Sequence, residues 1–219
     1  GGLKIKASVV GTAAACDNSV SPVLPGICDV KRIFVNGSGV SVSLGYANRF
    51  LSSATETEYI LPMSVLVVSN TGAAVKDVVV TLSAFPSYYS AGFRAADCSP
   101  VYTILPFLAN EDSGYNGNIG NENDNLDPGE DINGDGLITP PHASAGTVPS
   151  IVTTNENGVA TFNLTYQKTY ASWIQTRIRA KVVISAGTTE STSELQFVLP
   201  YLIVDANPCS LWNSPPNLF

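Results

Sequence analysis

Short runs of Val, Ile, Thr and Tyr that alternate apolar with polar positions, each stopped by Gly, Asn or Pro, recur along most of the chain. A period of two puts every second side chain on one face, which is the pattern of a half-buried strand and not of a helix. Residues 3–10 alternate in this way, with Leu3, Ile5, Ala7 and Val9 on one face and Lys4, Lys6 and Ser8 on the other. Residues 29–35 and 40–46 flank Asn36-Gly37-Ser38-Gly39, and residues 59–69 and 75–85 flank Asn70-Thr71-Gly72. Such turn residues between two alternating runs predict hairpins. Residues 151–153 and 159–166, joined by Asn155-Glu156-Asn157-Gly158, are followed by runs at 173–186, 190–199 and 201–204. About ten strands with turns between them predict an all-β chain folded as an antiparallel sandwich.

Residues 110–147 break the pattern. This stretch is rich in Asn, Gly, Asp and Pro, and a structureless connection of that length in a compact domain needs something to hold it. Eight acids lie between Glu111 and Asp135, and residues 95–167 contain no Lys or Arg. The chain's formal charge is −7, so the rest of it is close to neutral. Carboxylates crowded together without a local cation repel one another and call for a counter-charge. A basic face, which nucleic-acid binding requires, is absent from the composition.

Within this stretch, Asp131-Ile132-Asn133-Gly134-Asp135-Gly136-Leu137-Ile138 resembles the first eight positions of a dockerin or EF-hand-type calcium loop. Oxygen-bearing side chains fall at positions 1, 3 and 5, a turn glycine at 6 and an apolar residue at 8. Calcium takes six to eight hard oxygen ligands, and this spacing gathers three side chains and a carbonyl. Upstream, residues 121–130 read as a second, imperfect loop with Asn123, Asn125, Asp127 and Glu130 as its donors. The better loop departs from the pattern at position 12, where His142 stands, and Pro140-Pro141 forbids a following helix. A helix–loop–helix sensor is therefore excluded. The expectation is a calcium-clipped surface loop, with Glu130, Asp127 or Asp112 supplying the missing carboxylate.

Two other stretches resemble bacterial immunoglobulin-like domains of the invasin/intimin type. Residues 63–83, reading Met63-Ser64-Val65-Leu66 onward through Asn70-Thr71-Gly72 to Ser83, look like that family's opening hairpin. Residues 152–165, with Thr154, Gly158, Ala160 and Leu164, look like its later strand, and 177–184 and 195–199 fit its closing strands. The resemblance implies one immunoglobulin-like sandwich spanning 1–205, with N-terminal strands at 1–58, a core at 59–94 and 149–205, and an insertion at about 106–148. Residues 206–219 form a C-terminal tail. It also implies a bacterial surface setting, without naming a ligand.

The four cysteines, Cys16, Cys28, Cys98 and Cys209, lack the close pairs of a zinc site and read as disulfides of a secreted protein. Three connectivities are open, and Cys16–Cys28 with Cys98–Cys209 is the favoured one. The second of these would close a loop of about 110 residues, worth roughly 4 to 5 kcal/mol in a chain-entropy account. No run of 18 apolar residues occurs, so no membrane-spanning helix is expected. The opening Gly1-Gly2-Leu3-Lys4 has the look of a mature or trimmed product.

No catalytic set stands out. The acids share one Gly-rich stretch at metal-ligand spacing, which does not suit the two facing carboxyls of a glycosidase. His142, the single histidine, reads as a surface residue and Trp173 as packing. The expected function is that of a non-catalytic extracellular structural protein: a subunit of a surface fibre or pilus-like assembly, or a stalk or adhesin module, stabilised by calcium and disulfides. Its partners would be copies of itself, joined by strand pairing through Leu3, Ile5, Ala7 and Val9, or other surface proteins. A second reading is a glycan- or protein-binding adhesion module, with Tyr88 and Tyr89 as the binding aromatics. A third is an accessory domain of a secreted enzyme.

Overall fold

A computed structural model describes residues 3–8, 28–33, 39–47, 51–52, 57–104, 106–114, 120–184 and 189–202. For residues 3–8, 28–33, 52, 184, 189 and 190 it describes the backbone alone. The chain divides into two compact units, residues 1–39 and 40–219. The division falls inside the stretch expected to supply the N-terminal strands of a single domain. The first unit contains β1 (Leu3–Ser8) and β2 (Cys28–Ile33), an antiparallel pair in register from Leu3 opposite Ile33 to Ser8 opposite Cys28. Leu3, Ile5 and Ala7 thus pair within the chain, and Val9 lies outside the described residues.

The second unit continues with β3 (Val40–Tyr46), β4 (Leu51–Ser52), β5 (Glu58–Ser69), β6 (Val79–Tyr89), β7 (Gly92–Arg94) and β8 (Pro100–Tyr102). Then come β9 (Leu108–Ala109), β10 (Ile151–Thr153), β11 (Val159–Gln167), β12 (Ile174–Ile184) and β13 (Thr189–Val198). One sheet has the order β11–β5–β3, with β4 also on β5; the other has the order β10–β6–β12–β13, with β9 also on β6. All described pairs are antiparallel.

The alternation explains which faces meet. β5 buries Tyr59, Leu61, Met63, Val65 and Val67, and β11 buries Ala160, Phe162, Leu164 and Tyr166. Facing them, β6 contributes Val80 and Leu82, and β12 contributes Ile174, Ile178, Ala180 and Val182. Each set has the spacing of two that a pleated strand requires. Each large side chain so buried contributes roughly 1.5 to 3 kcal/mol. The all-β antiparallel sandwich predicted from the pattern is the observed architecture.

The pairing differs from the predicted hairpins. β2 pairs with β1, and β3 pairs with β5. The turn at Asn70-Thr71-Gly72 forms, with the Gly72 N–H donating to the Ser69 carbonyl at 2.9 Å. Beyond the bridge from Val68 to Ala74, however, the chain crosses from β5 in one sheet to β6 in the other. The turn at 155–158 behaves alike, leading from β10 on β6 to β11 on β5. A turn signal marks where the backbone can reverse; which strand comes next alongside is set by the face each must bury. The runs at 173–186 and 190–199 yield β12 and β13, which form a long hairpin from Gln175 opposite Val198 to Ile184 opposite Thr189. Tyr201 and Leu202 are not in a strand, and residues 203–204 lie outside the described residues.

β6 positions the insertion. Its edge away from β12 carries β9 at Tyr88 and Tyr89 and β10 at residues 79–81. The long stretch between β9 and β10 therefore leaves and returns along one strand. It covers the outer face of that sheet, where Phe85 is buried although alternation points it away from the core. The Phe85 ring meets His142 edge-on at 4.9 Å and lies 5.1 Å from the Arg177 guanidinium. At the return end, the Ala145 carbonyl accepts the Thr176 hydroxyl at 3.1 Å.

Candidate functional site

Two consecutive acids organise the insertion. Directly after β9, the Asn110 side chain accepts the Asp112 N–H at 2.8 Å and donates to the Pro140 carbonyl at 2.9 Å. This fixes Glu111 and Asp112, which are 2% and 0% exposed. Asp112 Oδ1 accepts the N–H groups of Asn121 (3.2 Å), Glu122 (2.8 Å) and Asn123 (3.4 Å), and Oδ2 accepts that of Asp124 (2.9 Å). Glu111 Oε1 accepts the N–H groups of Ile132 (2.9 Å) and Asn133 (3.0 Å), and Oε2 accepts that of Thr139 (2.9 Å). Burying two charges costs several kcal/mol, which charge-assisted bonds from the backbone offset. Glu122 and Asp124 have φ of 61° and 63°. That left-handed backbone costs a non-glycine residue about 1 to 2 kcal/mol, and Asp112 stabilises it by taking both N–H groups.

The downstream loop is a run of side-chain-capped turns. Asp131 Oδ1 accepts the Gly134 and Asp135 N–H groups at 2.7 and 3.1 Å, and Oδ2 accepts that of Gly136 at 3.0 Å. Asn133 Oδ1 accepts the Asp135 N–H at 2.9 Å, and Asp135 Oδ1 accepts the Leu137 N–H at 2.8 Å. Gly136, at the predicted turn position, has φ of 76°, which glycine adopts without a Cβ penalty. Asp131, Asn133 and Asp135 thus fold over one short turn. The Asn133 amide also donates to Asp135 Oδ2 at 3.2 Å and Thr139 Oγ1 at 3.0 Å.

The upstream loop is separate. Asn121 Nδ2 and Asn123 Nδ2 both donate to Asp127 Oδ2, at 2.8 and 2.9 Å. Glu130 closes that turn, its Oε2 accepting the Asp127 N–H at 2.8 Å. Asn125 joins only through Asn123, whose Oδ1 takes the Asn125 N–H at 2.7 Å. The missing carboxylate of the downstream loop was expected from Glu130, Asp127 or Asp112. Instead Asp112, Asp127 and Glu130 bond to the upstream stretch, and it is Glu111 that binds the backbone of residues 132, 133 and 139. Among the described residues, no three His, Cys, Asp or Glu side chains converge as a metal set. The donors that do cluster mix two carboxylates with amides, a combination suited to a hard cation and not to zinc.

His142, predicted as a surface residue, is partly covered and stands between two acids. Its Nε2 lies 3.2 Å from Asp112 Oδ2 and its Nδ1 lies 3.3 Å from Asp124 Oδ1. Glu122 reaches the sheet, with Oε1 accepting from Arg177 Nη2 at 2.6 Å and Oε2 lying 3.6 Å from Arg179 Nη1. Arg179 also donates to Glu194 at 2.6 Å. The cations missing from residues 95–167 are therefore supplied by β12. Sequence reasoning named Asp112 only as a candidate calcium ligand and passed over Glu111 and the two arginines; the only signal for them was the absence of local Lys and Arg.

Tyr88 and Tyr89, expected as binding aromatics, lie within the sheet. Both belong to β6, and Tyr89 is 4% exposed within the core, so its ring cannot stack on a glycan. Burial, with the charges of Glu111 and Asp135 added, pushes the Tyr89 hydroxyl up to about 12. Trp173 is buried, as predicted, against Tyr102. Cys98 is disulfide-bonded, and the Arg94 guanidinium donates to its carbonyl at 3.0 Å. Cys16, Cys209 and the Cys28 side chain lie outside the described residues. Among the described residues, no helix is long and apolar enough to cross a membrane.

Comparison with protein-family models, with curated proteins and with solved structures returned no match.

Proposed function

We propose that this chain is a non-catalytic structural module of an extracellular bacterial surface assembly, with an insertion that binds calcium through Asp131, Asn133 and Asp135. One observation carries the calcium reading: the three side chains share a single capped turn whose glycine takes the required left-handed conformation. Glu111 supports it, since its bonds to residues 132, 133 and 139 hold that turn in shape from outside. A preformed loop loses less entropy when an ion binds. With affinity in the range of about 10⁻⁴ to 10⁻³ M for extracellular modules, calcium at twenty times Kd adds about 1.8 kcal/mol.

The structural role rests on the sandwich and on the disulfide at Cys98, with the pairing of Cys98 with Cys209 and Cys16 with Cys28 as the sequence-based expectation. These devices resist unfolding outside a cell. Immunoglobulin-like kinship, as suggested by the two resembling stretches, would place the module in a stalk, adhesin or fibre. A glycan-binding role loses one of its two candidate aromatics, because Tyr89 is in the core.

Thermal melts with calcium and with EDTA test the metal. Calcium is expected to raise Tm, and Asp131→Ala and Asp135→Ala to reduce the difference. Superimposed melts of the parent sink the calcium reading. Negative-stain microscopy and size-exclusion chromatography test assembly, and a monodisperse monomer at high concentration sinks the fibre version.

A further inference from the structure

We propose that the upstream turn, residues 121–130, is a second and separate calcium seat, in which the carboxylates of Glu130 and Asp127 and the amide oxygen of Asn121 are the side-chain ligands. Glu130 is 1% exposed, and its Oε1 is buried with no hydrogen-bond partner among the described residues. Its other oxygen accepts the Asp127 N–H at 2.8 Å, and the Glu130 N–H donates to the Asp127 carbonyl at 3.1 Å, so the carboxylate sits on the Asp127 turn. An unpaired buried carboxylate oxygen is among the most costly groups to leave unsatisfied. A cation removes that cost.

The described arginines and the histidine near the insertion are engaged elsewhere. Arg177 and Arg179 meet Glu122, and His142 stands between Asp112 and Asp124. Residues 95–167 supply no Lys or Arg. Asp127 Oδ2 is approached by two amides, those of Asn121 at 2.8 Å and Asn123 at 2.9 Å. Rotating an amide by half a turn exchanges its nitrogen and oxygen at nearly unchanged positions. For Asn121 this leaves an oxygen beside the Asp127 carboxylate, at the spacing of about 2.8 Å that neighbouring ligands take around a seven-coordinate calcium ion. Asn123 stays as it is, because its Oδ1 holds the Asn125 N–H at 2.7 Å. It continues to orient Asp127. Two carboxylates and one amide oxygen leave the remaining positions to backbone carbonyls and water, which makes a hard-cation seat of modest affinity.

This inference rests on the calcium reading only in its choice of ion, and the two seats are separable by experiment. Calcium chloride is titrated into the full chain by calorimetry, using the parent, Glu130→Gln, Asn121→Ala, Asp131→Ala with Asp135→Ala, and Glu130→Gln combined with that pair. The expected stoichiometries are two for the parent, one for Glu130→Gln, one for the Asp131/Asp135 pair and none for the combination. Asn121 is exposed, so Asn121→Ala keeps the fold and is expected to weaken one of the two events at least tenfold. Near-ultraviolet circular dichroism reports whether Glu130→Gln folds, and if it does not, Asn121→Ala decides. Parent-like stoichiometry in Glu130→Gln and parent-like affinity in Asn121→Ala overturn the proposal, whether a proton or a water satisfies Glu130. Loss of all binding in the Asp131/Asp135 pair also overturns it while leaving the downstream seat standing. Retention of two events in that pair sinks the downstream seat instead.

Discussion

Glu111 and Asp112 are adjacent in the chain, yet their carboxylates collect N–H groups from two different stretches: Asp112 from residues 121–124, Glu111 from residues 132, 133 and 139. One dipeptide at the end of β9 thus anchors both halves of the acidic insertion. Each carboxylate replaces water for backbone groups that no strand partner serves.

The two anchors are expected to act independently. Asp112→Ala should lose amide-exchange protection at residues 121, 123 and 124, where only the carboxylate accepts, while Glu122 keeps its bond to the residue-112 carbonyl at 2.9 Å and protection persists at 132, 133 and 139; Glu111→Ala should instead lose it at 132, 133 and 139. Each leaves three or more backbone donors unsatisfied, so a stability loss of about 3 kcal/mol or more is expected. Hydrogen exchange by mass spectrometry checks the pattern, and equal loss over both stretches in either variant contradicts it.

Glu122 and Arg177 should be energetically coupled. Their contact of 2.6 Å joins the insertion to β12, and the Arg177 side chain is only 3% exposed. A double-mutant cycle with Glu122→Gln and Arg177→Met is expected to give a coupling of about 1 to 3 kcal/mol. Because the arginine is buried, the coupling should change little with added salt. A coupling below the error of chemical denaturation rejects it.

Gly120→Ala should be poorly tolerated. A Cβ at this position would fall inside the van der Waals envelope of the Asp112 and Ser113 backbone, which cannot move without releasing the Asp112 carboxylate. The cost should be about 1 to 3 kcal/mol, as for overpacking. Gly45→Ala on β3 is the control: its Cβ would meet only Ser64 Oγ at 3.7 Å, and urea denaturation should place it within about 0.5 kcal/mol of the parent.

Alkaline stability should fall beyond pH 10. Burial raises the hydroxyls of Tyr89, Tyr102 and Tyr166, that of Tyr89 to about 12. Above the ordinary value of 10 the unfolded chain releases these protons while the native state retains them. Stability is therefore full below pH 10 and is lost as the pH rises toward and through 12. Absorbance at the phenolate band should show Tyr89, Tyr102 and Tyr166 titrating late in the native protein and near 10 in denaturant. A Tyr89→Phe variant that leaves the late step unchanged in amplitude contradicts the assignment to Tyr89.

What was legible in the sequence is short-range. Alternation located β5, β6, β11 and β12, because a strand's face is decided every second residue. The spacing of Asp131, Asn133 and Asp135 located a capped turn, because its bonds span two to five residues. The partner of each strand was not legible. Asn70-Thr71-Gly72 reads as a hairpin, and only the need of β5 and β6 to face each other across the core turns it into a crossing.

The roles of the acids divided in the same way. Composition showed that the insertion needs counter-charge, and the tertiary structure decided where it comes from: Arg177 and Arg179 for Glu122, and backbone N–H groups nine to 28 residues away for Asp112 and Glu111. Tyr89 read as a binding aromatic in the sequence, and the pairing of β6 with β9 and β12 places it in the core. The sequence by itself determined the class of fold and the presence of an acidic turn, because both follow from local periodicity. Only the tertiary structure decided which carboxylates serve the backbone and left Glu130 with a buried oxygen that has no partner among the described residues, because burial and hydrogen bonding are settled between segments distant in the chain.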